Sequence, residues 1–203
     1  MMGIYAKFVL PTLTHLSMRQ ALLRSYRERV ASGATGRVLE LGFGSGLNLP
    51  FYGSNVEEIV GVDVSHEMLT IAQPAVAASP RKVTLVERSA ESLPFDAATF
   101  DTVVVTWALC CILDPIAALR ESRRVLKPGG QLRFAEHGLS ADPGVAKWQN
   151  RLTPLWSLCA GGCHLNRKTD DLLWAAGFEI AELSTGYARG LRPFTYMYEG
   201  RAG

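Results

Sequence analysis

Val38-Leu39-Glu40-Leu41-Gly42-Phe43-Gly44-Ser45-Gly46-Leu47-Asn48-Leu49-Pro50 is the stretch that decides the fold. Val38, Leu39 and Leu41 spell a buried strand with one acid, Glu40, among them. Glycines then stand at alternate positions, 42, 44 and 46, and the residues after them read as the start of a helix. Glycine has no Cβ, so the backbone there can turn sharply and lie against a ligand. A helix opening just beyond such a turn presents free backbone N–H groups. Strand, glycine turn and helix in succession is how an open α/β sheet holds a nucleotide-like molecule.

The spacing narrows the ligand. A dinucleotide loop reads G-x-G-x-x-G, and from Gly42 its third glycine falls where this chain has Leu47. The pattern here is E-x-G-x-G-x-G, and an acid ahead of the loop disfavours a pyrophosphate over the helix start. Downstream, Glu58-Ile59-Val60-Gly61-Val62 reads as a second strand and ends on Asp63. An acid at that strand end, roughly 20 residues beyond the glycines, suits a pair of ribose hydroxyls.

The totals fit one α/β domain. The chain has 203 residues, 48% hydrophobic and 20% charged, enough for a sizeable core. The reading is a single domain over residues 1–203, with 1–34 as an N-terminal helical cap. A net charge of +2, with no run of like charges, argues against nucleic acid as a partner. Cys110 and Cys111 are adjacent in an apolar run, so a disulfide framework is not expected. Cys159-x-x-x-Cys163-His164 offers half of a zinc-like spacing and no second half, so these read as buried or site-lining thiols and no metal is expected. The sequence contains no apolar run of about 18 residues and no secretory signal, and a reducing cytoplasm is the expected location.

The rest of the chain alternates strands and helices. Residues 4–16 lie close to helical spacing, interrupted by Pro11, and could form a flap over the pocket. A second helix, with Met18, Leu22, Tyr26 and Val30 on one face, closes at Gly33. Lys7, Arg19, Arg24, Arg27 and Arg29 around these apolar stripes permit a weak membrane-surface contact through residues 1–30. A short helix ends at Phe51-Tyr52-Gly53. Ser65 caps a helix that Pro74 ends or kinks. Strands are expected at 82–88, 99–106, 131–137, 178–183 and 193–198. Helices are expected from Asp114-Pro115 through Leu126, stopping at Lys127-Pro128-Gly129-Gly130, over 145–159 and over 169–176.

Taken in order, the glycine loop, Asp63, Ser89-Ala90-Glu91-Ser92-Leu93-Pro94-Phe95 and Arg124-Val125-Leu126-Lys127-Pro128-Gly129-Gly130-Gln131-Leu132 resemble the class I S-adenosylmethionine (SAM)-dependent methyltransferases of type 11. The resemblance implies a doubly wound seven-stranded sheet of order 3-2-1-4-5-7-6, with strand 7 antiparallel. It implies SAM as cofactor and S-adenosylhomocysteine as product. Glu40 would face the donor's ammonium or hold it through water, with Gly42, Phe43, Gly44, Gly46 and Asn48 in the same loop. Asp63 would take the ribose, Val64 and Met68 the adenine face. Ser89, where many relatives carry Asp, would accept from the adenine amino group, with the Ala90 N–H and Glu91 assisting. Thr106, at the end of strand four, would border the reacting methyl.

The last third is similar to a narrower group, the alkyl thiol methyltransferases of the endoplasmic reticulum. The matching pieces are Trp148-Gln149, Pro154-Leu155-Trp156, Gly162-Cys163-His164-Leu165-Asn166-Arg167, Leu109-Cys110-Cys111-Ile112 and Glu136-His137. That group's hydrophobic anchor is absent from this sequence, and Cys111 replaces a serine. The resemblance points to a small-molecule acceptor, a thiol first. Bacterial relatives labelled phospholipid methyltransferases make lipid or small-amine N-methylation the alternative. His137, at the end of strand five, is the candidate for assisting deprotonation. Arg167 would hold a thiolate or, preferably, a loop, and Trp107, Trp148 and Trp156 could wall an apolar pocket. A nucleotide-binding protein without transferase activity, or a dinucleotide oxidoreductase, stays open at this point.

Overall fold

The computed structural model describes Tyr5 and residues 9–203. Its strands are β1 (Gly36–Leu41), β2 (Val56–Asp63), β3 (Lys82–Glu87), β4 (Phe100–Thr106), β5 (Leu126–His137), β6 (Ile180–Tyr187) and β7 (Tyr196–Ala202). They form one sheet of order β3-β2-β1-β4-β5-β7-β6. β1 to β5 run parallel, and β7 lies antiparallel between β5 and β6. This is the expected topology. β1 sits where the strand order reverses, so the crevice beyond its carboxyl end is the natural ligand site of a doubly wound sheet.

The helices are α1 (Leu10–Met18), α2 (Ala21–Ser32), α3 (His66–Ala77), α4 (Pro115–Val125), α5 (Pro143–Cys159) and α6 (Thr169–Ala175). Strand side chains alternate between the two faces of the sheet. Val38 and Val104 pack with Val30 of α2 and Leu69 of α3 on one face. Leu39, Val103 and Val105 pack with Leu119 of α4 and Leu173 of α6 on the other. The central strands are therefore buried on both sides, which is why they read as continuous apolar runs.

Several boundaries differ from expectation. No α-helix follows the glycine loop; Leu49–Phe51 is a single 3-10 turn. Pro50 supplies no N–H there, and Tyr52 turns to extended backbone. Pro11 falls in the first turn of α1 and begins that helix instead of interrupting it, a position where the missing N–H costs no bond. Ile4, Lys7 and Phe8 of the expected flap lie outside the described residues. α3 continues through Pro74 to Ala77. β5 begins at Leu126, with the register against β4 jumping from Leu126 to Gln131 as Lys127–Gly130 loop out. β6 starts at Ile180 and runs on to Tyr187, and Arg192–Phe194 forms a 3-10 turn ahead of β7. Among the described residues no helix is long and apolar enough to cross a membrane.

Candidate functional site

At the end of β1 the chain enters the left-handed region three times, at Gly42 (φ 65°), Gly44 (φ 57°) and Gly46 (φ 74°). Side chains rarely tolerate that conformation, so the alternating glycines are a backbone requirement. Gly42 also has no room, because a Cβ there would lie 2.4 Å from the Ala108 Cβ. The glycine loop is thus pressed directly against the loop that follows β4.

Asp63, at the end of β2, faces the same crevice. Its Oδ2 accepts the Gly44 N–H at 2.8 Å and its Oδ1 the Ser65 N–H at 2.9 Å. Burial pushes its pKa up, against the pull of these backbone donors. An ionised carboxylate has about four acceptor directions; the backbone N–H groups of Gly44, Ser65 and Val64 act on it, which leaves room for a further donor. Val64 beside it is 69% exposed, and the Met68 methyl lies 3.4 Å from where a Cβ on Gly44 would stand. Gly44, Asp63, Val64 and Met68 are therefore together, as expected. From above, His15 of α1 reaches across, its Nδ1 2.7 Å from the Ser45 hydroxyl. A hollow of about 650 Å³, lined by Arg120, Gly129 and Phe178 among others, lies at the amino ends of the strands. It gathers none of these groups.

Other expected site residues turn inward. Glu40 is fully buried beneath the loop. Its Oε1 accepts Asn48 Nδ2 at 2.8 Å and its Oε2 the Tyr52 hydroxyl at 2.6 Å, so both oxygens are engaged by the protein. Burial raises its pKa to about 7, opposed by Tyr52, Arg27 and Asn48. Asn48 spends its amide on Glu40 and on Thr106 Oγ1 (2.9 Å), and its Oδ1 accepts from Arg27 Nη1 (2.9 Å). Thr106 thus faces Asn48 under the loop. Phe43 is core: its ring fills the space over Gly61, where a Cβ would meet it at 2.3 Å.

Arg27 is the residue sequence reasoning misplaced. Counted with the basic surface of α2, it is buried, and its guanidinium lies 4.8 Å from the centre of the Trp107 ring. Burial lowers its pKa to about 10, which leaves it a cation at neutral pH. Trp107 itself has φ 50°, a strained conformation that singles out the end of β4. Arg29 pairs with Glu199 at 2.7 Å at the surface, and Arg19 and Arg24 are exposed, so Arg27 alone of the described basic residues on this stripe is taken inside the fold.

In the loop after β3, Ser89 and Glu91 bond to each other. The Ser89 hydroxyl donates to Glu91 Oε2 (3.0 Å) and accepts the Glu91 N–H (3.2 Å). Glu91 Oε1 also accepts the Asp114 N–H at 2.7 Å. Glu91 is therefore a brace between this loop and the start of α4. Ser89 keeps one acceptor direction.

The carboxyl ends of β4 and β5 gather the sulfur chemistry. Glu136 is buried, and its Oε1 accepts the N–H groups of Ala108 (2.7 Å) and Leu109 (3.0 Å). Burial raises its pKa to about 7. Arg167 donates to the carbonyls of Leu109 and Ile112, which is the loop role preferred for it. His137 stands at the end of β5 as expected, but its Nε2 lies 3.1 Å from the Cys163 sulfur. Burial pulls the His137 pKa down, yet the hydrogen bond and charge of Cys163 and the charge of Glu136 together leave it raised. Cys163 also accepts the Trp156 indole N–H at 3.2 Å. Cys110 and Cys111 turn toward it, and with His137 they hold its pKa far below the usual thiol range. Trp148 is 57% exposed and walls nothing. Gln149 is buried and brackets the region, accepting the Ser140 N–H and donating to the carbonyls of Gly138 and Pro193. The spacing Cys159…Cys163-His164 is not a unit: Cys159 is exposed, and His164 Nδ1 faces backbone carbonyls.

Comparison with known proteins agrees with this arrangement. A family described as "Methyltransferase domain" matches residues 39–134. The human thiol S-methyltransferase TMT1A is 30% identical over 191 residues, covering 90% of this chain and 78% of its own. The phosphatidylethanolamine N-methyltransferase of Cereibacter sphaeroides is 39% identical over 105 residues, 50% of this chain and 51% of its own. The ubiquinone/menaquinone biosynthesis C-methyltransferase UbiE of Syntrophotalea carbinolica is 36% identical over 130 residues, 63% of this chain and 54% of its own. The chain thus spans about half the length of the latter two. Among solved structures, YcgJ of Bacillus subtilis superposes with a TM-score of 0.66 at 24% identity, covering 80% of this chain and 71% of its own.

Proposed function

The chain belongs to the SAM-dependent methyltransferases, and from that premise we propose that it transfers a methyl group to the sulfur of a small apolar thiol. SAM supplies an electrophilic methyl on a sulfonium and leaves as S-adenosylhomocysteine. The residues fit such a donor. Asp63 keeps acceptor capacity for the ribose, Val64 and Met68 offer apolar surface to the adenine, and Ser89 and the Ala90 N–H its polar edge. Gly42, Gly44 and Gly46 let the backbone approach the amino-acid end. Glu40, Asn48, Thr106 and Arg27 set the shape of that loop from below and touch the donor only through it.

Methyl transfer by in-line displacement asks mainly for positioning and a dry site. A thiol of pKa about 8.5 is already a few per cent ionised at neutral pH, so modest help suffices. In this reading His137, which is buried and carries no described partner on Nδ1, assists that deprotonation. Residues 1–203 act as one domain, with 1–34 as the cap. The His15–Ser45 contact and the packing of Leu10 near Gly161 support α1 as its cover.

The observation that carries the thiol reading is the long alignment with TMT1A. It runs over 90% of this chain and so extends well beyond the methyltransferase motifs. The test is SAM-dependent methylation of a panel of small thiols, amines, phenols and quinols. Thioether products from alkyl thiols are expected, and turnover confined to another class overturns the assignment. A second reading, N-methylation of a phospholipid, is favoured by the C. sphaeroides relative. The exposure of Leu13 (51%), Leu16 (56%), Leu155 (67%) and Leu158 (67%) also suits a weak membrane-surface contact. Methylation of phosphatidylethanolamine in vesicles, without thiol turnover, would establish it. A cytoplasmic location goes with either reading.

A further inference from the structure

We propose that Cys110, Cys111 and Cys163 form a binding site for a thiophilic divalent cation, Zn²⁺ in the first instance. The three sulfurs all lie within 4.8 Å of one another, and those of Cys110 and Cys111 are 3.6 Å apart. A tetrahedral zinc with Zn–S bonds of about 2.3 Å spaces its sulfurs by about 3.8 Å. The sulfurs therefore already stand within about 1 Å of the spacing a bound ion would set. His137 Nε2 stands 3.1 Å from Cys163 Sγ and so contacts one of the three ligands directly. A second trio, Cys110, Glu136 and His137, shares Cys110 with the first.

The frame around these groups is built. Adjacent cysteines on a strand would point to opposite faces. Here Cys111 N–H bonds back to the Ala108 carbonyl, and the resulting turn carries both thiols to the same side. Glu136 fixes the N–H groups of Ala108 and Leu109, and Arg167 fixes the carbonyls of Leu109 and Ile112. The His164 N–H bonds the Cys110 carbonyl, tying the Cys163 loop to the Cys110 loop. Trp156 N–H points at Cys163 Sγ from outside the trio, the place of a hydrogen bond that orients a metal ligand. His137 Nδ1 and Glu136 Oε2 are buried with no partner among the described residues. Each thiol that binds as thiolate gives its proton to solvent, so loading releases protons and weakens at low pH. Cys159, exposed at the end of α5, is outside the cluster.

The experiment is a Co²⁺ titration of the full chain, chelated, fully reduced and free of SAM. Stoichiometric uptake is expected, with sulfur-to-cobalt charge-transfer bands and the visible bands of a tetrahedral site, all removed by Zn²⁺. C110S, C111S and C163S should each lose roughly one third of the charge-transfer intensity or bind no metal. C159S should match the parent, and H137Q should shift the visible bands. Circular dichroism and S-adenosylhomocysteine binding report whether each variant is folded. Reduced parent protein showing no bands beyond those of hydrated Co²⁺ overturns the proposal without recourse to any variant. So does C159S losing as much intensity as C163S. Neither readout depends on which acceptor is methylated.

Discussion

Replacing Arg27 by methionine removes a buried cation from beneath the glycine loop while keeping most of its stem volume. Arg27 Nη1 donates to Asn48 Oδ1 at 2.9 Å and, at a weaker 3.4 Å, to Thr106 Oγ1. Its plane rests on Trp107 at 4.8 Å. One charged hydrogen bond is worth about 1.5–3 kcal/mol, and a partly desolvated cation–π contact about 1 kcal/mol. The sum, about 2.5–4 kcal/mol, overlaps the range for breaking a buried charge pair. For a chain of this size it should lower Tm by roughly 10 °C. The loss should also depend on pH. Glu40 titrates at about 7, and Arg27 favours its ionised form. Near pH 6 Glu40 is mostly neutral and has no charge for Arg27 to balance. Above pH 7 the variant must keep a proton on Glu40 or bury an unbalanced anion. Urea unfolding at about pH 6 and about pH 8 should show a loss larger by about 1 kcal/mol at the higher value. R27K should recover that increment but not the bond to Asn48, because a lysine lacks the planar fork. A loss under 1 kcal/mol at both values, or one that is larger at the lower pH, refutes the buried network.

Asp63→Ala removes the carboxylate proposed for the ribose. At a net loss of about 3 kcal/mol for the ribose hydrogen bonding to a charged acceptor, the affinity for S-adenosylhomocysteine by calorimetry should fall about 100-fold. A folded D63A that binds within threefold of the parent disproves the placement. Gly42→Ala meets both a φ of 65° and the Ala108 methyl 2.4 Å away, so it should cost about 2–4 kcal/mol. Adding Ala108→Gly should recover part of that loss, and no recovery would mean that strain alone sets it. Glu40 and Glu136 both rise from 4.5 to about 7 on burial. Between those values the folded chain holds more protons than the unfolded one, so each carboxylate makes stability fall as pH rises through the window, by up to about 3 kcal/mol. E136Q should flatten this slope in urea unfolding against pH, and a slope equal to the parent's would show that Glu136 is ionised throughout.

What the sequence made legible was what chain order and local chemistry control. Asp63 closes an apolar run at a fixed distance from the glycines, and that distance survives folding because β1 and β2 are neighbours in register. Arg27 was hidden because an arginine on an amphipathic helix reads the same whether its face meets water or the glycine loop. Only the landing of α2 on the sheet decides between them. Phe43, Asn48 and Thr106 belong to the right motifs but point inward, and an irregular loop has no period from which to tell in from out. The helix expected after the glycines failed at Pro50 and Tyr52, where a buried hydroxyl on Glu40 outweighs continuing the turn. Cys110 and Cys163 meet only because loops after β4 and α5 converge, and no spacing rule spans that separation.

The convergence has a mechanical consequence. Glu136 holds the N–H groups of Ala108 and Leu109, and Ala108 in turn touches the place where Gly42 has no side chain. The glycine loop and the thiol-bearing loop therefore meet at the Ala108 methyl, with no long, flexible side chain at that contact to absorb a shift. Tightly packed interiors pass displacement on instead of damping it. A donor settling on the glycine loop is felt at Ala108, two residues before Cys110, and a ligand drawing the three thiols together is felt at Gly42. Coupling of that kind is reciprocal in free energy. If the cysteine site binds its cation, then S-adenosylhomocysteine must bind the loaded and the chelated protein with different affinity, or the contact between these two loops is merely close and not rigid.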